Sequence, residues 1–243
     1  MSFRFRQFYI NDERCAMKVG TDGVLLGAWA GRFQENQQLR ILDIGTGSGL
    51  IALMLAERFP NAIITAIDID NEAVEQALEN FANSPWSNRL SAHSISLQEF
   101  SRIHLDASYS HSALYDLIVC NPPFFANSLR NPNPQRALAR HTDSLPYESL
   151  LSDAASLLAR EGTLALIYPA ETMTQVIEQA MRYNLYPMRL SHIFSKKGKP
   201  ERRTLCEFSH NKSACFDEQT LYLEDDSSNR SEQYKTLTDE FYL

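Results

Sequence analysis

The feature that most limits the fold of this chain is a glycine-rich turn between a short apolar strand and a helix-forming segment. It reads LRILDIGTGSGLIALMLA from Leu39 to Ala56. The apolar residues 41–44 predict a buried strand, and residues 49–59 predict a helix. Gly45, Gly47 and Gly49 let the backbone turn tightly and approach a ligand closely. A strand joined to a helix in this way is typical of an α/β fold.

The spacing of the glycines argues against a dinucleotide-binding turn. The G-x-G-x-x-G pattern needs glycine or alanine at its third position, where this chain has Leu50. Asp43 stands before the turn, and an acid there suits a cationic ligand better than a pyrophosphate. The next predicted strand ends at Asp68, which lies 19 residues past Gly49. That is close to the distance at which an acid receives the hydroxyls of a ribose.

A second motif, Asn121-Pro122-Pro123-Phe124, follows the apolar run 117–120. Two consecutive prolines make a stiff segment with no backbone donors. The Asn121 side chain and the Pro122 carbonyl offer two acceptors, and Phe124 offers a ring for stacking. An exocyclic amine on a flat base needs two such hydrogen-bond acceptors and a stacking surface. The alternative is an ordinary turn after a strand with a core Phe, which the nearby glycine turn and two acids disfavour.

The remaining pattern alternates strands with helices. Strands are predicted at 40–44, 63–68, 89–95, 115–120, 163–168, 186–194 and 203–209, and helices at 22–32, 49–59, 71–83, 145–160 and 171–183. We therefore expect an α/β fold with a seven-stranded, mostly parallel sheet and helices on both faces. One strand should be antiparallel, because no helix separates the last two. Asn71 is expected to cap the third helix and Gly162 to end the fourth. The ligand should lie outside the carboxyl ends of the first and fourth strands.

These motifs together resemble S-adenosylmethionine-dependent methyltransferases of the Rossmann-like class I, in the branch that methylates exocyclic or amide nitrogens. The stretch RCAMKVGTDGVLLGAW, from Arg14 to Trp29, is similar to the N-terminal signature of bacterial tRNA-valine adenine-37 N6-methyltransferases. Further matches are Ser84-Pro-Trp86, Pro134-Gln-Arg136 with Ala139-Arg140, Tyr234-Lys-Thr-Leu-Thr and Phe241-Tyr242-Leu243. The resemblance covers nearly the whole chain and implies one domain, 1–243, with short terminal extensions.

The resemblance implies S-adenosylmethionine as cofactor and N6 methylation of adenine 37 in the tRNA anticodon loop. The catalytic residues it implies are Asn121, Pro122 and Phe124. The cofactor-binding residues it implies are Lys18, Thr21, Asp43, Gly45, Gly47, Gly49, Asp68, Ile69, Ser96, Leu97 and Asn121. Ser96 departs from the family pattern, which has an acid there to hold the adenine amine. Asp43 is expected either near the methionine end or as a cap that orders the turn, and Asp22 either near the cofactor or as a helix cap.

Charge is unevenly distributed along the chain, whose net charge is −7. The segment 182–212 has eight Lys or Arg and two acids, whereas the segment from 213 onward has eight acids and two bases. We therefore expect a basic face on a hairpin at the far edge of the sheet, away from the glycine turn. The residues expected to hold the anticodon arm are Arg136, Arg140, Lys196, Lys197, Lys199, Arg202 and Arg203. The alternative for 196–203 is an ordinary solvated hairpin. The segment 125–144 is a candidate substrate lid, for which the alternative is an ordinary surface loop.

Composition predicts a cytoplasmic enzyme without a metal, and we also expect a monomer. The 243 residues are 44% hydrophobic, which suits one α/β domain with a sizeable core. No apolar run is long enough for a membrane span, and the N-terminus lacks the apolar core of a signal peptide. The four cysteines show no C-x-x-C pairing and the six histidines are scattered, which favours reduced thiols over disulfides or a metal site.

Four other functions fit parts of the pattern. A guanine N2-methyltransferase of ribosomal RNA also uses Asn-Pro-Pro-Phe, usually with an extra N-terminal domain. A glutamine N5-methyltransferase acting on a protein would not need the basic segment. An NAD dehydrogenase is disfavoured by Leu50 and by the absence of a suitably placed histidine. A non-enzymatic RNA-binding protein would have no use for Asn121, Pro122 and the glycines together.

Overall fold

The computed structural model describes residues 2–34, 36–106, 114–123, 145–212 and 216–242. The strands are β1 (Ser2–Arg4), β2 (Tyr9–Asn11), β3 (Arg40–Ile44), β4 (Ile63–Asp68), β5 (Leu90–Ser94), β6 (Tyr115–Cys120), β7 (Leu158–Pro169), β8 (Tyr186–Phe194), β9 (Glu201–Ser209) and β10 (Asp217–Tyr222). The helices are α1 (Thr21–Trp29), α2 (Leu50–Arg58), α3 (Asn71–Ala82), α4 (Leu97–Leu105), α5 (Tyr147–Leu157), α6 (Ala170–Arg182) and α7 (Glu232–Thr238), with a 3-10 turn at Ser87–Arg89.

Eight strands form one sheet in the order β10-β8-β9-β7-β6-β3-β4-β5. All neighbours pair in parallel except β9, which is antiparallel to both β7 and β8. The predicted antiparallel strand is therefore confirmed as β9, because β8 reverses directly into it without a helix. Strands β1 and β2 form a separate antiparallel pair.

The strand order reverses at β3, which lies between β4 and β6. At such a point the connecting helices leave toward opposite faces, and a crevice opens at the carboxyl ends of the strands. Asp43 lies in β3, Asp68 ends β4, and Asn121 follows β6. The predicted placement of these three residues at one edge is confirmed.

Helices cover both faces of the sheet, as predicted. Because successive side chains of a strand point to opposite faces, Ile41 packs with α1, α2, α3 and α7, whereas Leu42 packs with α4, α5 and α6. Leu117 and Ile118 in β6 divide in the same way. Strands buried on both faces need nearly continuous apolar sequence, which is why these runs were recognisable.

The prediction of seven strands is wrong, because β10 adds an eighth. Its sequence, DEQTLY, is mostly polar, and only Leu221 in it is buried. β10 pairs in parallel with β8 and forms the edge of the sheet. The hairpin between β8 and β9 is therefore flanked by β10, and the prediction that it forms the far edge is also wrong.

Two predicted helix ends are also wrong. Asp70, not Asn71, caps α3, and its side chain accepts a hydrogen bond from the Glu72 N–H. Helix α5 ends at Leu157, and Gly162 lies inside β7. A Cβ on Gly162 would lie 2.8 Å from the Tyr115 carbonyl oxygen, so this glycine admits the backbone of the adjacent strand.

Besides β10, four elements are absent from the sequence prediction: β1, β2, α4 and α7. The N-terminal pair meets the C-terminal segment, where Phe5 stacks between Phe8 and Tyr242 and the Arg6 N–H donates to the Phe241 carbonyl. Strands β1 and β2 are only three residues long and α7 is mostly polar, so these three elements carry weak periodicity. Within the described ranges, no helix has the length and apolar character needed to span a membrane.

Candidate active site

A cavity of about 1030 Å³ opens at the carboxyl ends of β3, β4 and β6. The segments that line it share this edge of the sheet. They are 15–23, residues 45–48 and 50–51 of the glycine turn and α2, 67–70, 95–98, 120–123, 145–146, and the single residues Leu25, Ala73, Ile193, Arg202, Arg203 and Leu223. The cavity thus collects most of the residues that the sequence predicted for the site.

The glycine turn has left-handed backbone conformations at Gly45, Gly47 and Gly49, with φ of 69°, 54° and 82°. A Cβ on Gly47 would meet nothing within 4 Å, so this position is open toward the cavity. A Cβ on Gly49 would lie 2.5 Å from the Phe81 ring of α3. A Cβ on Gly45 would likewise meet nothing within 4 Å, so the turn has two glycines that leave room at the cavity and one that permits close packing.

Asp43 lies beneath this turn and is fully buried. Its Oδ2 accepts hydrogen bonds from Thr46 Oγ1 at 2.7 Å and from the Ala52 N–H at 3.2 Å. Burial, with a smaller contribution from the charge of Asp68, raises the pKa of Asp43 to about 7. These contacts show that Asp43 orders the glycine turn, one of the two roles expected for it.

Asp68 reaches the cavity from the end of β4. Its Oδ2 accepts from the Gly47 N–H at 2.9 Å, and its Oδ1 accepts from the Asp70 N–H at 3.0 Å. A carboxylate has about four lone-pair positions, so each oxygen keeps capacity for a further donor. Ile69, the next residue, is 60% exposed at the cavity rim and offers an apolar surface there.

Asn121 leaves β6 with its side chain against the first turn of α1. A Cβ on Gly23 would lie 4.0 Å from Asn121 Nδ2, an ordinary contact distance, and 3.1 Å from Leu50 Cδ2, so the glycine mainly gives room to Leu50. Asn121 Oδ1 is buried and has no hydrogen-bond partner among the described residues. Pro122 follows it in the cavity wall, whereas Phe124 lies outside the described residues.

Four other predicted cofactor residues line the same cavity. Lys18 Nζ donates to the carbonyls of Asp12 and Glu13, at 2.7 Å and 3.2 Å, and Thr21 begins α1. Ser96 caps α4 by accepting from the Glu99 N–H at 3.2 Å, and Leu97 follows it. The structure brings all four to the site.

The residues of the predicted basic segment fall into two groups, those bonded to other parts of the protein and those exposed to solvent. Lys196 Nζ donates to the Asp226 carbonyl at 2.6 Å, and Arg203 Nε donates to Asp22 Oδ2 at 2.8 Å. Lys197 and Lys199 are exposed on the hairpin, and Arg202 is exposed at the cavity. Because Arg202 and Arg203 line the cavity that contains the glycine turn, the expectation that the whole segment is remote from the turn is wrong. Arg136 and Arg140 lie outside the described residues.

Several lining residues were not predicted. Cys15, Ala16 and Met17 precede Lys18 in the wall, and Ile193 and Leu223 face them from the β8–β10 side. The stretch from Arg14 to Trp29 contained a signal for the first three. Nothing local in the sequence marks Ile193 or Leu223, because apolar residues in strands and turns are common everywhere.

Comparisons with known proteins agree with this geometry. The pattern of the methyltransferase small domain family matches residues 28–186. A tRNA1(Val) (adenine(37)-N6)-methyltransferase from Bacteroides thetaiotaomicron is 45% identical over 99% of this chain and 97% of its own. One from Vibrio campbellii is 41% identical, with 99% and 95% covered.

Solved structures share the fold at low sequence identity. A protein described as a predicted O-methyltransferase, from Agrobacterium tumefaciens, is 17% identical with a TM-score of 0.67, covering 90% of this chain and 96% of its own. A human methyltransferase 10 domain containing protein is 16% identical with a TM-score of 0.50, covering 81% and 86%.

The open glycine turn, the Asp68 carboxylate at the end of β4 and the unpaired Asn121 oxygen fit a nucleoside cofactor with a reactive group beside it. The family model and the relatives show that the chain is an S-adenosylmethionine-dependent methyltransferase. It belongs to the methyltransferase small domain family, in the group formed by the tRNA1(Val) (adenine(37)-N6)-methyltransferases.

Proposed function

We propose that the protein transfers a methyl group from S-adenosylmethionine to N6 of adenine 37 in the anticodon loop of tRNA-Val. The substrate is supported by relatives of that name, which are 40% to 45% identical along the whole chain. The structural observation that carries the proposal is Asn121 Oδ1, a buried acceptor that lacks a partner among the described residues and lies at the cavity.

The reacting amine determines what the site must supply. The N6 lone pair of adenine is delocalised into the ring, so the amine is a poor nucleophile. Asn121 Oδ1 and the Pro122 carbonyl accept its two hydrogens, which favours a pyramidal nitrogen with a directed lone pair. When bound, S-adenosylmethionine supplies an electrophilic methyl group on its sulfonium. The protein contributes alignment, and no general base is needed because the methylated nitrogen loses its proton to solvent.

The target base must leave the anticodon loop to reach this pocket. Sequence-specific RNA enzymes commonly take an unstacked loop base and hold it against an aromatic ring. Phe124, which lies outside the described residues, is assigned this stacking role because it follows Asn121 and the two prolines directly.

The cofactor is assigned to the part of the cavity between the glycine turn and the segment 15–20. Asp68 accepts a ribose hydroxyl while keeping its bonds to the N–H groups of Gly47 and Asp70. Gly45 and Gly49 shape the backbone beside it, and Asp43 holds that backbone from below. Lys18, Thr21, Ile69, Ser96 and Leu97 complete the surrounding wall.

The tRNA backbone is assigned to the exposed cations of the β8–β9 hairpin, of which Arg202 also lines the cavity. Lys197, Lys199 and Arg202 carry this role, because Lys196 and Arg203 already have partners within the protein. Arg136 and Arg140, outside the described residues, add to the same surface. Lys196 and Arg203 instead hold the hairpin to its neighbours and retain part of their positive potential there.

The whole chain, 1–243, acts as one domain, as a cytoplasmic monomer without a metal. A single sheet joins β5 at one edge to β10 at the other, which supports one folding unit. Within the described residues, no three His, Cys, Asp or Glu side chains are grouped to hold a metal ion.

The test is methyl mapping on a defined RNA. Purified protein is incubated with S-adenosylmethionine and tRNA-Val, and the product is digested and sequenced by mass spectrometry. We expect one added methyl group, on adenine 37, and none on a matched tRNA with guanine at that position. A methyl group on ribosomal guanine or on a protein glutamine would refute the substrate, while the class of enzyme would stand.

A further inference from the structure

A buried asparagine on α3 has no part in the chemistry assigned above. Asn80 is only 1% exposed, and its side chain makes three hydrogen bonds. Nδ2 donates to the carbonyls of Asn11 and Ser48, both at 2.8 Å, and Oδ1 accepts from the Asn11 N–H at 3.0 Å. Both amide hydrogens and one acceptor are thus used, all on backbone groups.

The two partners of Asn80 lead to different walls of the cavity. Ser48 belongs to the glycine turn, between Gly47 and Gly49, and lines the cavity itself. Asn11 ends β2 and leads into residues 12–20, here called the 12–20 loop, of which 15–20 line the cavity. One buried side chain therefore connects both walls between which the cofactor is assigned.

Hydrogen bonds inside the 12–20 loop converge on Asp12 and largely fix the shape of the loop. The Asp12 carbonyl accepts from the Cys15 N–H at 3.1 Å and from Lys18 Nζ at 2.7 Å. Asp12 Oδ2 accepts from the Val19 N–H at 3.0 Å. A loop with these internal bonds keeps its own form, and its position relative to the glycine turn depends on its two ends, Asn11 at the end of β2 and Thr21 at the start of α1.

A second attachment of the loop to α3 is weaker on physical grounds. Arg14 forms ion pairs with Glu75 and Glu79, and all three side chains are at least about a third exposed. Exposed pairs of this kind contribute little because water and salt screen them. Losing Asn80 would instead leave buried backbone groups without partners, which is more costly.

We propose that Asn80 is a positioning residue for the cofactor, which sets the spacing between the glycine turn and the 12–20 loop. The proposal rests on the proposed function, because it assumes that the cavity between these walls holds S-adenosylmethionine. A ligand that contacts two walls binds most tightly when both are already in place, since ordering them on binding reduces the net affinity.

The first experiment replaces Asn80 with Ala and compares it with Asn83→Ala, an exposed asparagine on the adjoining C-cap of α3. Calorimetry gives the Kd for S-adenosylhomocysteine, and kinetics give KM for both substrates and kcat. Asn80→Ala should raise the cofactor Kd and KM by about tenfold, the scale of two lost buried bonds. The KM for tRNA and kcat at saturating cofactor should stay near the wild-type values, and Asn83→Ala should change none of these quantities.

A purely structural role for Asn80 would give a different result. The melting temperature would then fall while the cofactor Kd of the folded variant stayed unchanged, and that result would overturn the proposal. Arg14→Ala should leave the cofactor Kd nearly unchanged, so a loss as large as that of Asn80→Ala would also overturn the special role of Asn80.

A second measurement needs no variant and remains decisive if Asn80→Ala does not fold. The Asn11 N–H bonds to Asn80 but is not part of the cavity wall. Its hydrogen exchange in the wild-type protein should slow when S-adenosylhomocysteine binds. The ligand orders both cavity walls, and Asn80 joins those walls to the Asn11 N–H. Unchanged exchange at Asn11 in the saturated complex refutes the inference. Failure of the wild-type protein to bind S-adenosylhomocysteine would instead refute the proposed function.

Discussion

Asn121 places a polar oxygen in the protein interior without giving it a partner among the described residues. An unpaired buried acceptor costs about 1–3 kcal/mol of stability until water or a ligand donates to it. Such a cost at the carboxyl edge of a parallel sheet is typical of a site shaped for a ligand rather than for stability.

The first prediction concerns Asn121→Ala. Turnover should fall roughly a hundredfold or more, because the lost acceptor acts mainly as the amine becomes pyramidal. The affinities for S-adenosylhomocysteine and tRNA should stay close to those of the wild type. Single-turnover kinetics and binding titrations measure the two parts. Near-normal turnover in a folded Asn121→Ala protein would remove Asn121 from the mechanism.

Asp68 gives the second prediction. Asp68→Ala should weaken S-adenosylmethionine binding by about 1.5–3 kcal/mol, the scale of charge-assisted hydrogen bonds to a ribose. Part of this loss of affinity arises because the Gly47 N–H in the glycine turn loses its hydrogen-bond acceptor. Calorimetry measures the change, with Glu72→Ala, an exposed acid in the first turn of α3, as the control. Equal affinity for Asp68→Ala and wild type would exclude Asp68 from the cofactor site.

At the scale of elements, the glycine turn offers a matched pair of substitutions. Gly49→Ala should lower the free energy of unfolding by roughly 2–4 kcal/mol, since it adds left-handed strain to a clash with Phe81. Gly47→Ala should cost only about 1–2 kcal/mol of stability, because its Cβ meets no protein atom. Its main effect should be weaker cofactor binding. Denaturant unfolding and calorimetry separate the two quantities, and equal effects on stability would contradict the packing argument.

The β8–β9 hairpin gives the fourth prediction. Replacing Lys197, Lys199 and Arg202 by Ala should weaken tRNA binding. It should also reduce the slope of the logarithm of affinity against the logarithm of salt concentration by about 2–3. Lys196→Ala should change the salt slope less, because Lys196 Nζ is held by the Asp226 carbonyl. The double variant of Lys197 and Lys199 should leave cofactor affinity unchanged, whereas Arg202 lines the cavity. Filter binding across a salt series measures the slope. An unaltered slope in the triple variant would show that the hairpin is a solvated loop that does not contact the tRNA.

At the scale of the whole molecule, buried acids make stability depend on pH. Burial raises the pKa of both Asp43 and Glu57 to about 7, from ordinary values of 3.8 and 4.5. The folded protein therefore holds more protons than the unfolded chain between about pH 4 and pH 7. Its free energy of unfolding should fall as the pH rises through that window and level off above it.

The fifth prediction follows from this sign. Urea unfolding at about pH 5.5, 7 and 8 should show greater stability at the lower pH. Asp43→Asn and Glu57→Gln should each reduce the change of unfolding free energy with pH. Glu72 is exposed on α3, so Glu72→Gln should leave this pH dependence unchanged. A stability that rises from pH 5.5 to 8 in the wild type would contradict the raised pKa of both acids.

The sequence by itself determined the central strands and the glycine turn. The predicted bounds of β3, β4, β6 and β8 agree with the structure. For β3 and β6 the reason is that a strand buried on both faces needs a nearly continuous apolar run. The turn was equally readable, since left-handed backbone at successive positions calls for glycine. Asp68 and Asn121 could be placed at one edge because parallel strands end on the same side.

Only the tertiary structure decided the partners of the polar side chains and the eighth strand. Arg203 pairs with Asp22, 181 residues away in sequence, and Asn80 bonds Asn11, 69 residues away. Such pairings depend on how elements pack, and a polar residue has the same local sequence signal whether it is solvated, paired or bound to RNA. The polar strand β10 joins the sheet through backbone hydrogen bonds to β8, which sequence patterns do not encode. Its position beside the basic hairpin is therefore a property of the folded protein alone.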